Sequence, residues 1–181
     1  MPPRKKPALV QPEQPPPPPK KAGSAKARRS AARLGAVQAL YQIDLTGAPP
    51  ETTITEYVTW RLGQELDGDR LVTADNELFA EVVRGVSARG ADVDQLLGGA
   101  LDRQWPLERL ETLLRAILRA GAFELLNGGD TPARIVINDY IDVAHAFFAG
   151  REPGMVNGVL DKVARAVRPA EMTQRDAAKG E

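Results

Sequence analysis

The sequence predicts an all-α protein, a compact bundle of six or seven helices behind a disordered N-terminal tail. Three observations carry this. Apolar residues recur at steps of three and four along almost all of the chain after residue 30. Glycine, proline and capping residues punctuate those stripes at short intervals. No run alternates polar and apolar as a half-buried strand must. Short turns between helices favour antiparallel neighbours in one bundle.

Residues 1–27 are expected to stay outside the core. Nine of the 15 prolines fall in the first 19 residues, five of them as Pro15 to Pro19. Proline fixes φ and removes the amide donor, so this segment reads as an extended polyproline-like spacer. The chain is neutral overall, but the charge is segregated. Residues 1–33 hold nine Lys/Arg against Glu13, giving +8; the remainder holds 15 basic and 23 acidic residues, giving −8. A basic arm on an acidic body suits either a polyanion or a solubilising role.

The first helix starts near Ser30, with Leu34, Val37, Tyr41 and Leu45 as one stripe and Leu40 and Ile43 widening it. Gly47 and Pro49–Pro50 stop it. A second helix fits Ile54–Leu62, ending in the polar loop Asp67–Gly68–Asp69. Thr73 is placed to cap a third, whose stripe is Leu78, Phe79, Val82, Val83 and Val86, with Gly90 as its end. Asp92 and Gln95 resemble a capping box for a short helix carrying Val93, Leu96 and Leu97. Pro106 then sits at a helix start before Leu110, Leu114, Ile117, Gly121 and Leu125, closed by Asn127–Gly128–Gly129. Asp130–Thr131–Pro132 opens the next, with Val136, Tyr140, Val143 and Phe147 on its inner side and Gly150 as its end. Pro153 opens the last, which buries Val156, Leu160, Val163 and Val167. Pro169 stops it, leaving 169–181 as a frayed polar end. Asn157–Gly158 is a hairpin dipeptide elsewhere, but helical periodicity surrounds it here.

Several function classes drop out. There is no cysteine, hence no disulfide or thiolate metal site. No apolar run approaches the roughly 20 residues of a membrane span, and the charged N-terminus leads into prolines, not a secretory apolar segment. A soluble cytoplasmic protein is expected. No phosphate-cradling Gly-rich loop or Gly-x-Ser-x-Gly element is present. Asp139, Asp142 and the single histidine, His145, follow at steps of three, yet they lack a converging ligand set and read as an ordinary helix face. Glu108 and Glu111 read as acids favoured by a helix start. Nothing assembles a nucleophile, a base and an oxyanion site, so neither enzyme nor cofactor is expected.

Arg28, Arg29 and Arg33 lie at the start of the first helix, Arg29 and Arg33 on one face if the helix begins early. Guanidinium groups fork onto phosphates and stack on unpaired bases, and Tyr41 could stack further along. The residues by themselves leave two readings: a nucleic-acid contact or a solvated cluster.

Three segments resemble the NusB family of transcription antitermination factors. They are Ala27-Arg-Arg-Ser-Ala-Ala-Arg-Leu-Gly-Ala-Val-Gln-Ala-Leu-Tyr41; Leu114-Arg-Ala-Ile-Leu-Arg-Ala-Gly-Ala-Phe-Glu-Leu125; and Thr131-Pro through Ile137-Asn-Asp-Tyr-Ile to Met155-Val-Asn-Gly-Val-Leu-Asp-Lys162. The last string is the most specific, and the likeness spans about residues 28–168 in order. The resemblance implies a helical domain over 28–168 made of two packed subdomains. It implies binding to boxA-type single-stranded RNA of nascent ribosomal RNA transcripts. It also implies partnership with the small-subunit ribosomal protein NusE in a complex that keeps RNA polymerase elongating. Carried onto this sequence, its RNA surface comprises Arg28, Arg29, Arg33, Gln38 and Tyr41, with Met155 and Asn157. The loop Gly150-Arg-Glu-Pro-Gly lacks the lysine of some members, and Arg151 stands in for it. Two alternatives remain. One is a helical protein–protein adaptor that binds no RNA. The other is a fragment of an RNA methyltransferase bearing a similar helical domain, whose catalytic domain would have to follow residue 168, whereas the sequence ends at Glu181.

Overall fold

The computed structural model describes residues 23–62, 65–66, 69–70 and 72–173. Of the expected tail 1–27, residues 1–22 lie outside the described residues, as do residues 174–181 of the expected polar end 169–181; residues 25–27 of that tail belong to the first helix instead. Seven long helices follow in order: α1 (Ala25–Thr46), α2 (Pro50–Trp60), α3 (Asn76–Ala88), α4 (Gly90–Ala100), α5 (Thr112–Asn127), α6 (Ala133–Phe147) and α7 (Glu152–Val167). A 3-10 turn at Leu107–Arg109 precedes α5. Two two-residue strands, β1 (Glu65–Leu66) and β2 (Asp69–Arg70), pair antiparallel where a plain loop was expected.

Helix α5 is the centre. It packs against α1, α3, α4, α6 and α7, while α2 lies on α1 and α3. Its sequence explains the position. Leu114, Ala116, Ile117, Leu118, Ala120, Gly121, Ala122, Phe123 and Leu125 are all buried, so apolar residues cover nearly its whole circumference. Each fully buried Leu or Ile contributes roughly 1.5–3 kcal/mol. Small residues among them let neighbours approach: a methyl on Gly121 would stand 2.7 Å from Leu160 Cδ1. One continuous core results, joining α1–α3 to α4–α7.

The helix ends differ from expectation in instructive ways. α1 begins at Ala25, five residues before Ser30, because the Ser24 hydroxyl accepts the Ala27 amide proton (3.2 Å) and satisfies a free donor. Asp75, not Thr73, caps α3 by accepting from the Leu78 amide (3.1 Å). Gly90 does not end α3 but opens α4 after Arg89, and no capping box forms; Asp92 instead pairs with Arg89 (3.2 Å). Gly47 and Gly128 terminate α1 and α5 in the left-handed region, φ 68° and 72°, where a Cβ is costly. Residues 169–173 are not frayed: they form a further helical turn, and Met172 is buried in the core. Arg168, just before this turn, is buried and donates to the carbonyls of Leu125 (2.8 Å), Glu124 (2.9 Å) and Thr131 (2.9 Å). It thereby satisfies the open carbonyls at the end of α5.

Candidate nucleic-acid interface

The start of α1 is ordered by three contacts. Ser24 caps it, the Asp75 amide donates to the Arg28 carbonyl (3.0 Å), and the Ser30 hydroxyl donates to Asp139 on α6 (3.2 Å). Lys26 and Arg29 are exposed on this fixed turn, with Arg28 half-buried beside them.

Arg33 is a correction. It is 1 % exposed, so it presents nothing to a surface ligand. Its Nε donates to Glu124 Oε2 (3.0 Å), its Nη2 to Glu124 Oε1, and its Nη1 to Asp139 Oδ2 (2.6 Å). The Tyr140 hydroxyl donates to the same Glu124 (3.1 Å). Burial by itself would weaken the guanidinium's hold on its proton; the hydrogen bond and field of Glu124 more than reverse this, and the pKa lies above its ordinary value. Sequence reasoning placed Arg33 with Arg29, yet Arg33 also lies three, four and seven residues before the buried Ala36, Val37 and Leu40. A charge in a core stripe requires a buried partner, and that was the available signal.

Gln38 and Tyr41 do not extend the arginine surface. At about 100° per residue they fall on the side of α1 opposite the core. Gln38 is exposed there, Tyr41 is 37 % exposed and Leu45 60 % exposed, so the expected Tyr41–Leu45 continuation of the buried stripe gives way to Ala36, Ala39 and Leu40.

The second expected cluster lies elsewhere along α6. α6 and α7 are antiparallel: the Ala133 amide at the start of α6 donates to Glu171 (2.8 Å), beyond the end of α7. Arg151, Met155 and Asn157, at the start of α7, therefore sit near the end of α6. Arg151 and Asn157 are exposed, and Met155 is half-buried against the core. Between the two clusters runs an exposed stripe of α6, Arg134, Asn138, Asp142 and His145. The structure thus joins the arginines of α1 and the start of α7 by one helix face rather than in one cavity. Asp139, read above with Asp142 and His145, turns inward to Arg33 instead.

The fold and this surface define a small all-helical protein with a rigid cationic helix start. Residues 30–165 match the family model described as the NusB family. The transcription antitermination protein NusB of Rhodopseudomonas palustris (strain HaA2) is 46 % identical over 171 residues, covering 94 % of this chain and 97 % of the relative. That of Nitrobacter hamburgensis is 48 % identical over 147 residues, covering 81 % and 92 %. Among solved structures, T. maritima NusB superposes with a TM-score of 0.66 at 27 % identity, covering 81 % of this chain and 96 % of that one. A crystal structure of antitermination factors NusB and NusE in complex with dsRNA gives 0.64 at 25 % identity, covering 78 % and 98 %. The chain belongs to the NusB family.

Proposed function

We propose that this chain is a transcription antitermination factor. It binds boxA-type single-stranded RNA of nascent ribosomal RNA transcripts and, with the ribosomal protein NusE, keeps RNA polymerase elongating. The observation that carries this reading is similarity to NusB relatives along nearly the whole chain, over a body that holds Arg28 and Arg29 on a capped, anchored helix turn. Preorganised cations lose little entropy on meeting phosphate. The solved relative in complex with NusE and dsRNA supports NusE as a partner and RNA as a ligand.

The RNA strand runs from Lys26, Arg28 and Arg29 along α6 to Arg151, Met155 and Asn157. Arg33 supports this surface from beneath. Tyr41 and Leu45, exposed one turn apart on the far side of α1, give a protein partner apolar surface without overlapping the arginines. The protein acts by binding and not by catalysis, in the cytoplasm where transcripts emerge. No described helix is long and apolar enough to cross a membrane.

The test is a calorimetric titration of boxA-like RNA with and without NusE. If both proteins touch one strand, NusE tightens RNA binding, and RNA tightens the protein pair by the same factor, roughly 5- to 150-fold. Absence of RNA binding in both titrations would favour a helical adaptor that binds protein alone.

A further inference from the structure

Between the start of α1 and the exposed stripe of α6 lies a cleft of about 510 Å³. Its floor is the Arg33–Asp139 pair. Lys26 and Arg29 line the α1 side; Ile135, Asn138, Ile141 and Asp142 line the α6 side. Ile135 and Ile141 are half-buried and give the cleft apolar wall.

Four of the polar side chains that line it are unspent. Lys26, Arg29, Asn138 and Asp142 make no side-chain hydrogen bond or ion pair among the described residues. In the cleft between α4 and α7, by contrast, Arg89 is held by Asp92 and Lys162 by the Ala100 carbonyl. In the cleft between α3 and α5, Arg84 is held by Glu51 and Asn127 by Glu81.

We infer that this cleft takes one unpaired nucleobase of the bound RNA strand and prefers a base whose Watson–Crick edge donates hydrogen bonds, guanine above all. This deepens the RNA reading above and rests on it. The chemistry follows from the lining. Lys26 and Arg29 suit the flanking phosphates. The isoleucines suit the flat apolar face of a base. Asn138 can both donate and accept, whereas an ionised Asp142 can only accept. A carboxylate on a phosphate-binding surface repels the strand, a cost offset when it accepts from a base edge. Guanine offers adjacent N1–H and N2–H donors to its two oxygens. Adenine and cytosine offer one amino group each. The single donor of uracil, N3–H, is flanked by two carbonyl oxygens that the carboxylate repels. Only an unpaired base presents this edge, as in other single-strand recognition.

The experiment compares oligouridine twelve-mers with and without one central guanosine, measured by fluorescence anisotropy on the full chain. The guanosine oligomer should bind more tightly, by roughly 5- to 150-fold, the discrimination of a good bidentate contact. Asp142→Asn should abolish the difference while oligouridine binds at least as well as before. Asp142 is exposed and makes no ion pair or side-chain hydrogen bond among the described residues, so thermal unfolding should not move. Arg29→Ala should weaken both oligomers alike. Equal affinity of the two oligomers for the unaltered protein, or discrimination that survives Asp142→Asn, would each overturn the base pocket while leaving RNA binding intact. Failure to bind any oligomer would overturn the RNA reading and the pocket together.

Discussion

The Arg33 guanidinium and the Asp139 carboxylate form an ion pair, Nη1 to Oδ2 at 2.6 Å, that is closed off from solvent and joins α1 to α6 directly beneath the exposed Arg29. Glu124 of α5 completes it from the other side. Three helices are thereby held in one register at the point where the proposed RNA surface begins. A hydrophobic triad of similar volume could hold the helices together as firmly.

Removing one member should therefore be severe. Arg33→Ala leaves Glu124 and Asp139 buried without their counter-ion, at a cost of about 3–5 kcal/mol in chemical denaturation. Arg33→Lys keeps the charge but loses the fork that reaches two carboxylates, and should fall between. A loss below about 1 kcal/mol for the alanine variant would show that water enters and solvates the pair.

Tyr140 supplies a pH dependence. Burial, then the negative field of Glu124, raises its pKa well above the ordinary phenol value. The folded state thus favours the neutral phenol. That contribution is complete below the unfolded value of about 10 and is lost as pH rises toward the folded one. Stability should decline above about pH 10, more shallowly in Tyr140→Phe. The same variant loses the hydrogen bond to Glu124, about 1 kcal/mol at neutral pH. Parallel alkaline declines in the two proteins would assign the effect to other groups.

Gly85 and Gly121 are spaces for specific neighbours. A Cβ on Gly85 would stand 1.9 Å from Phe123 Cζ, and one on Gly121 would stand 2.7 Å from Leu160 Cδ1 and 3.2 Å from Tyr140 Cδ2. Each alanine variant should lose roughly 1–3 kcal/mol through forced repacking, although alanine is the better helix former. Gly98 and Gly99 on α4 meet nothing within 4 Å. Alanine there should be neutral or stabilising in the same thermal scan.

Arg168→Met should destabilise by several times an ordinary surface change. It keeps an apolar stem but leaves the carbonyls of Glu124, Leu125 and Thr131 without their donor. An unsatisfied buried acceptor costs about 1–3 kcal/mol. Hydrogen exchange should report opening at the end of α5 before global unfolding.

Salt dependence separates the arginines. Arg29→Ala removes an exposed cation, so the slope of log K against log salt should shrink by about 0.7 on single-stranded RNA with no change in melting. Gln38→Ala, on the other side of α1, should leave both slope and affinity unchanged. A full slope in Arg29→Ala would place the phosphate path elsewhere.

Helical period, caps and punctuation by glycine and proline determined the number and order of the helices from sequence, because those signals are local: each depends on residues within one or two turns. The arginine-rich start of α1 and the Val156–Lys162 string were legible for the same reason. What lay beyond local reach was direction. Arg29 and Arg33 are one turn apart with the same side chain, yet one is exposed and the other is sealed against Glu124, 91 residues away, and Asp139, 106 residues away. Arg168 gives no signal in the sequence, yet its guanidinium caps the carbonyl end of α5. Asn138 lies within a family-like string and Asp142 on what reads as an ordinary helix face, and they line a cleft only because α1 begins early enough for Lys26 and Arg29 to face them. Burial of a charge is decided by what the rest of the chain brings to it, and that is a property of packing between helices, not of the period within one.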